Sequence, residues 1–303
     1  MSSTQQALAA RSVAINRRRP SRHPYLHGSE LAWALAFVVP YAGVIVAFAV
    51  YPIAYALWMG GDASLYAELF ADPHYAEAAA NTALFAGFAA NTMMFLALLL
   101  SGFFMRRRWW IKAVLVVCML PWALPAIPAF VSFHWMLIGE YGFLDSALSA
   151  LFGIEGPHWF NNRWLALGSN SVAYIWKWLP FWTLIFLAGR LAIPQEIYEA
   201  ADMDGARGIN RFVYVTFPLL AGLYLICTLL STVWMIGDFT TVYFVSGGAP
   251  SLSTEVLATL GMHDAFDAGD PPLGMAVGLS VLPLLIPLVI LLMRKVSISA
   301  VQL

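Results

Sequence analysis

Charge is scarce in this chain. Only 11% of its 303 residues are Asp, Glu, Lys or Arg, against about 25% in a soluble globular domain. That shortage, with 61% hydrophobic residues and a mean hydropathy of +0.73, excludes an ordinary water-soluble globule. Cysteine is nearly absent. Cys118 and Cys227 both lie in apolar runs, so they form neither a disulfide framework nor a metal set and read as small buried hydrophobes. The dipeptide Gly-Lys does not occur, so there is no P-loop and no phosphate cradle of the usual kind. Six histidines are scattered, and the one pair with helical spacing, His23 and His27, is interrupted by Pro24. No Ser–His–Asp or paired-carboxylate arrangement is visible, and no Asp or Glu falls deep inside an apolar run. Repeats and low-complexity tracts are also missing.

What the chain has is long apolar stretches. Six of them approach or exceed the roughly 20 residues that cross a bilayer: about Leu31–Val50, Asn81–Phe103, Ala113–Phe133, Val172–Leu191, Leu219–Ile236 and Leu273–Met293. Backbone groups in lipid must be paired internally, so these are expected to be helices. The first run continues to about Trp58 behind a polar leader, and reads as a retained anchor rather than a cleavable signal.

Positive charge orders these spans. Arg11, Arg17, Arg18, Arg19 and Arg22 precede the first; Arg106, Arg107, Arg108 and Lys112 follow the second. Arg190, Arg207 and Arg211 follow the fourth, and Arg294 and Lys295 the sixth. With six spans, these 14 of the 16 basic residues fall on one side, which the positive-inside rule makes cytoplasmic. Both termini are then cytoplasmic, and the outer loops are Met59–Ala80, Gly139–Ser171 and Gly237–Pro272. The expected organisation is one membrane domain over 31–295, between a tail at 1–30 and a short tail at 296–303.

Proline punctuates two spans: Pro121, Pro125 and Pro128 in the third, Pro283 and Pro287 in the sixth. Each removes a helical bond. The result is either ordinary kinking or helices shaped around a cavity or hinge. Lys177, in the stretch WKWLPFW, is the only basic residue well inside a span. It reads first as a cation snorkelling to the outer interface beside Trp176 and Trp178. The alternative is a residue lining a path, where Trp178 and Trp182 offer stacking faces for sugar rings; Ser231, Thr232 and Asp238 are further polar candidates.

The loop at 192–218 is the most polar internal stretch on the basic side. Pro194 suits a first helical position, and Glu196 and Glu199 suit the first turns. Ala200 and Ala201 take little room, and Gly205 suits the residue past a helix end. The expected form is a short helix, a turn, and a second short helix over Ile209–Phe217 before Pro218. A calcium loop is excluded, because the ligands beyond Asp202 and Asp204 and the closing Glu are absent. An interfacial helix and a helix fitted to a partner's groove both remain open on these grounds.

One spacing narrows the choice. Glu199-Ala200-Ala201, three residues, Gly205, nine residues and Val215-Thr216-Phe217-Pro218 resemble the EAA signature of ABC-importer permeases, EAA-x3-G-x9-I-x-L-P, with Val for Ile and Phe for Leu. The chain is similar to the carbohydrate branch of that family over nearly its whole length: YPIAYAL at 51–57, ADPHYAEAAANTALF at 71–85, IWKWLPFWTLIFLAG at 175–189 followed by IPQEIYEAADMDGA, and VSGGAP at 245–250. It departs in a short first outer loop, where GGDASLY only partly matches the family's GL-x-N-Y.

The resemblance implies an all-α polytopic membrane protein of the type I importer permease architecture. It also implies a second homologous permease, two ATP-binding subunits that hold the ATP and Mg²⁺, and an extracytoplasmic solute-binding protein in a cell-membrane complex. This chain would carry no cofactor, metal or catalytic residue and bind no nucleic acid. Its coupling set would be Glu199, Ala200, Ala201, Asp204, Gly205 and Pro218, with Glu199 making a polar contact to the ATPase. The implied cargo is a sugar, oligosaccharide or polyol. The alternatives are a stand-alone ion-coupled secondary transporter, which needs intramembrane carboxylates, and an intramembrane enzyme, which needs a catalytic cluster at one depth.

Overall fold

A computed structural model describes residues 28–301 apart from 107. His23, His27, Arg107, the five tail arginines and most of the expected 1–30 tail lie outside the described residues, as does the side chain of Lys295. Among the described residues there are helices and turns and no strands.

The chain divides into two units, 1–56 and 57–303. The described part of the first is a helix, α1 (Gly28–Ile45), that passes through a π-turn at Val46–Val50 into α2 (Tyr51–Met59), whose last three residues are counted with the second unit. Residues 31–59 together are apolar and long enough to span a bilayer.

From Met59 the second unit continues with α3 (Ala63–Ala71) and then α4 (Pro73–Phe104), α5 (Trp109–Ala123), α6 (Ala126–Leu137), α7 (Phe143–Phe152) and α8 (Arg163–Leu191). The polar loop gives α9 (Gln195–Met203) and α10 (Ile209–Arg211), and a π-turn at Phe212–Thr216 leads into α11 (Phe217–Ile236). After the short α12 (Thr240–Val245) and α13 (Leu257–Met262) come α14 (Pro271–Ser280) and α15 (Leu282–Val301). Among the described residues, five helical stretches are long and apolar enough to cross a membrane, and six if the bent pair α5–α6 counts as one.

Five of the six expected spans coincide with single long apolar stretches, and several of these begin earlier than apolarity alone suggested. Asp72 caps α4 by accepting from the His74 N–H, and Pro73 occupies the first turn, where a missing N–H costs nothing. Asn162 caps α8 by accepting from the N–H groups of Trp164 and Leu165. The fourth helix therefore starts nine residues before the expected Val172. The third span is two helices set at 97°.

The core lies where α4, α8 and α11 meet. Ala86, Ala89, Ala90 and Ala97 on α4 are buried with Met93 and Met94, against Tyr174, Trp182 and Phe186 of α8 and Leu220, Cys227 and Met235 of α11. Small residues let backbones approach where lipid offers no hydrophobic gain between helices. Cys227 is a buried small side chain, as its sequence context indicates.

At the end of the bundle opposite the arginine loops, one amide organises the chain. Asn81 is fully buried; its Nδ2 donates to the carbonyls of Ser253 (2.9 Å) and Glu255 (2.8 Å), and its Oδ1 accepts from Arg163 Nη2 at 2.8 Å. Arg163 also pairs with Glu77 at 3.3 Å. The stretch just after VSGGAP is thus tied to α4, and VSGGAP itself is tied to α8 by Asn170 Nδ2, which donates to Ser246 Oγ at 2.9 Å, with Gly247 and Gly248 at φ +60° and +79° turning the chain. Asn81→Leu is expected to cost about 2 kcal/mol, because two carbonyls lose their donor and the Arg163 guanidinium loses one of its two acceptors. Thermal unfolding in detergent at the parent's temperature would refute it.

Candidate functional site

The polar loop at the arginine-rich end has a defined geometry. Helix α9 ends in a Schellman motif: the Ala206 N–H donates to the Ala201 carbonyl (2.9 Å), and the Gly205 N–H to the Asp202 carbonyl (3.2 Å). Gly205 sits at φ +80°, the conformation this motif requires and other L-residues resist. Asp204 is the C-cap, and Gly208, at φ +59°, turns the chain again. Arg211 then pairs with Asp202 at 3.1 Å and lies 5.7 Å from the Tyr198 ring centre, fastening the returning chain onto α9.

Within α9, Ala201 is buried while Glu199 and Ala200 are exposed. Among the described residues, the Glu199 carboxylate accepts only a local hydrogen bond, from Gln195 Nε2 at 2.8 Å. Met203 and Ile209 also face outward. The loop therefore presents a small-residue ridge with the Glu199 carboxylate beside it and flanking apolar groups, while Glu196, Asp202 and Asp204 are exposed around it.

The expected second short helix is absent as a separate element. Ile209–Ile236 is one helical stretch, with Pro218 in its first regular turn. Pro218 has no N–H for the Tyr214 carbonyl and its ring crowds that carbonyl. The π-turn at Phe212–Thr216 accommodates the misfit without ending the helix, its closing bond running from the Phe217 N–H to the Phe212 carbonyl.

Arg190, in the last turn of α8, was read from sequence only as part of the basic side. Its side chain is 8% exposed, with Nε donating to Ser101 Oγ (2.7 Å) and Nη2 to the Leu98 carbonyl (3.1 Å), and it lies 5.5 Å from the Phe212 ring centre. It borders a cavity of about 920 Å³, shared with Gly102, Pro194, Tyr198 and Arg211, that runs beside the loop.

The six candidate path residues do not form one site. Trp178 and Trp182 join Trp234, at 6.3 and 5.5 Å between ring centres, and Phe181 packs on both Trp182 and Trp234. Trp234 was missed because polarity drew attention to Ser231 and Thr232 instead. Ser231 is buried with no hydrogen-bond partner among the described residues. Thr232 lines a different cavity of about 400 Å³, with Thr82, Asn91 and Thr228. Asp238 accepts from the Thr241 N–H at 3.2 Å and so helps start α12.

Lys177 does not snorkel. Because α8 begins at Arg163, Lys177 lies 14 residues from either end, about 21 Å along the helix. It is 2% exposed, and its Nζ donates to the carbonyls of Pro121 (2.8 Å), Trp122 (3.3 Å) and Leu124 at the break between α5 and α6. Nζ also lies 5.9 Å from the Trp178 ring centre.

The described residues thus form a bundle of long apolar helices, one of them broken, with a capped polar loop between α8 and α11. The family described as "Binding-protein-dependent transport system inner membrane component" matches residues 93–298, and this chain belongs to it. The sulfoquinovosyl glycerol permease SmoG of Agrobacterium fabrum is 35% identical over 196 residues, covering 64% of this chain and 62% of that one. The trehalose/maltose permease MalF of Thermococcus litoralis is 33% identical, covering 54% and 55%. The chain thus spans less than two thirds of these relatives' lengths. Among solved structures, a bacterial ABC transporter that imports the acidic polysaccharide alginate superposes with a TM-score of 0.75, over 88% of this chain and 95% of that one, at 18% identity. That likeness concerns the fold.

Proposed function

We propose that this chain is one permease subunit of an ATP-driven importer and forms half of a translocation path for a carbohydrate-type solute. The observation that carries the reading is the exposed Glu199–Ala200 ridge on α9, held by the Gly205 cap and the Arg211–Asp202 pair. An ATPase subunit would receive that ridge in a groove, with Glu199 as the polar contact and Ala200 permitting close approach. The family supports it, as do relatives whose names specify sugar glycosides. A second permease, two ATPases and a solute-binding protein complete the complex, and ATP and Mg²⁺ are bound by the ATPases. The arginine-rich end is cytoplasmic, by the charge asymmetry. Closure of the ATPase pair on ATP would draw the coupling helices together and open the path outward.

An ion-coupled secondary transporter would need carboxylates within its spans. Among the described residues of α4, α8 and α11, the only acid is Glu77, in the second turn of α4. The test is purification of the tagged chain in mild detergent with its genomic neighbours expressed. The expected result is co-purification of a second permease and an ATPase, with ATP-dependent uptake. A chain that purifies alone and folded, with uptake driven by an ion gradient, overturns the proposal.

A further inference from the structure

Three prolines and one lysine fit together by simple accounting. In a continuous helix each N–H bonds the carbonyl four residues back. Pro125 and Pro128 have no N–H, so the carbonyls of Pro121 and Leu124 have no helical partner. Those are two of the three carbonyls that Lys177 Nζ takes, the third being Trp122. An ammonium has three donors and here uses all of them. It also sits at the C-terminal end of α5, where the helix dipole favours a cation. No carboxylate lies within ion-pair distance of it among the described residues. A fully buried cation is thus held by backbone that the prolines left unpaired.

We propose that Lys177 is a positioning residue for transport, a cap that fixes the bend of the third span. The cap holds Trp122 against Phe181, at 5.9 Å between ring centres, and so orders the aromatic face that continues through Trp182 and Trp234. Trp122, Leu124 and Ile127 around the break are themselves exposed and apolar, a surface that the bend sets beside this face. The bend and the ammonium need each other. Without Lys177, three carbonyls lose their donor in a low-dielectric setting; without the prolines, the carbonyls regain helical partners and the ammonium is left bare.

That mutual dependence is the test. Spin labels at Val116 and Ser132, exposed positions on the two halves, report the bend in the complex reconstituted in lipid nanodiscs. Lys177→Met is expected to shift the label distance and lower uptake about tenfold or more. The same substitution in a Pro125→Ala/Pro128→Ala background is expected to shift it no further, because the carbonyls no longer need the lysine. Lys177→Arg, which keeps the donors, is expected to retain the parent distance and most of the uptake; it also serves as the informative variant if Lys177→Met does not assemble. An unchanged distance in Lys177→Met, or an equal shift with and without the prolines, overturns the cap. A changed distance with parental uptake overturns the role in transport, which rests on the importer reading. The label distances stand apart from that reading, so a parent complex that fails to import would leave the cap decided by them.

Discussion

Arg190→Met loses about 3 kcal/mol of stability, the expected result of leaving a buried hydroxyl and carbonyl without their charged donor. One guanidinium serves three elements here. Its Nε bonds Ser101 Oγ and its Nη2 the Leu98 carbonyl, both on the last turns of α4, while its face lies against Phe212 in the π-turn that opens α11. Ser101 Oγ itself donates to the Leu98 carbonyl at 2.7 Å, so the three groups share one small network. Gly102 borders this network: a Cβ there would stand 3.4 Å from the guanidinium carbon, in ordinary contact. Methionine fills much of the volume but makes none of these bonds.

Arg190→Lys separates geometry from charge. An ammonium keeps the positive charge but lacks the fork that reaches two acceptors at once. Its stability is expected to fall between that of the parent and Arg190→Met. Thermal unfolding of the detergent-solubilised complex reads both variants. If Arg190→Met unfolds with the parent, the network contributes nothing and the groove beside the loop is shaped by the helices alone.

Much of this architecture is legible from the sequence because membrane solvation is a strong constraint. Twenty apolar residues leave few options, and the arginine clusters after the second and fourth spans give the topology a consistent sidedness. The helix end at Gly205 is equally readable, because few residues but glycine adopt the conformation that a Schellman motif needs. Lys177 is different. Its environment depends on where α8 begins, which Asn162 decides by a local cap ten residues before the apolar run, and on carbonyls 53 to 56 residues away in sequence. Periodicity within one helix carries no such information. The same holds for Arg190 and Asn81, whose partners lie on other elements. Thr232 and Trp182 fail to meet for a related reason: polarity indicates which residues differ from lipid-facing ones, but not which side of α11 faces α4 and which faces α8.

Glu199→Lys is expected to abolish uptake and ATPase association while leaving the fold as stable as the parent. The structure separates these two effects. Glu199 is exposed, and its one hydrogen bond among the described residues is local, from Gln195 a turn earlier. Reversing its charge therefore removes little from the permease and changes what a docking subunit meets. Gly205→Val is the contrasting case. At φ +80° a β-branched residue is strained, by about 1–2 kcal/mol, and the Ala206–Ala201 and Gly205–Asp202 bonds that close the helix are lost with the turn. That variant is expected to lose uptake and local stability together, whereas Gly205→Asn, which tolerates the left-handed region, loses less of both. Pull-down of the ATPase subunit, transport in vesicles and thermal unfolding distinguish the variants. Glu199→Lys with normal uptake and normal ATPase association would show that the exposed ridge on α9 is not the docking surface, whatever the spacing of its residues.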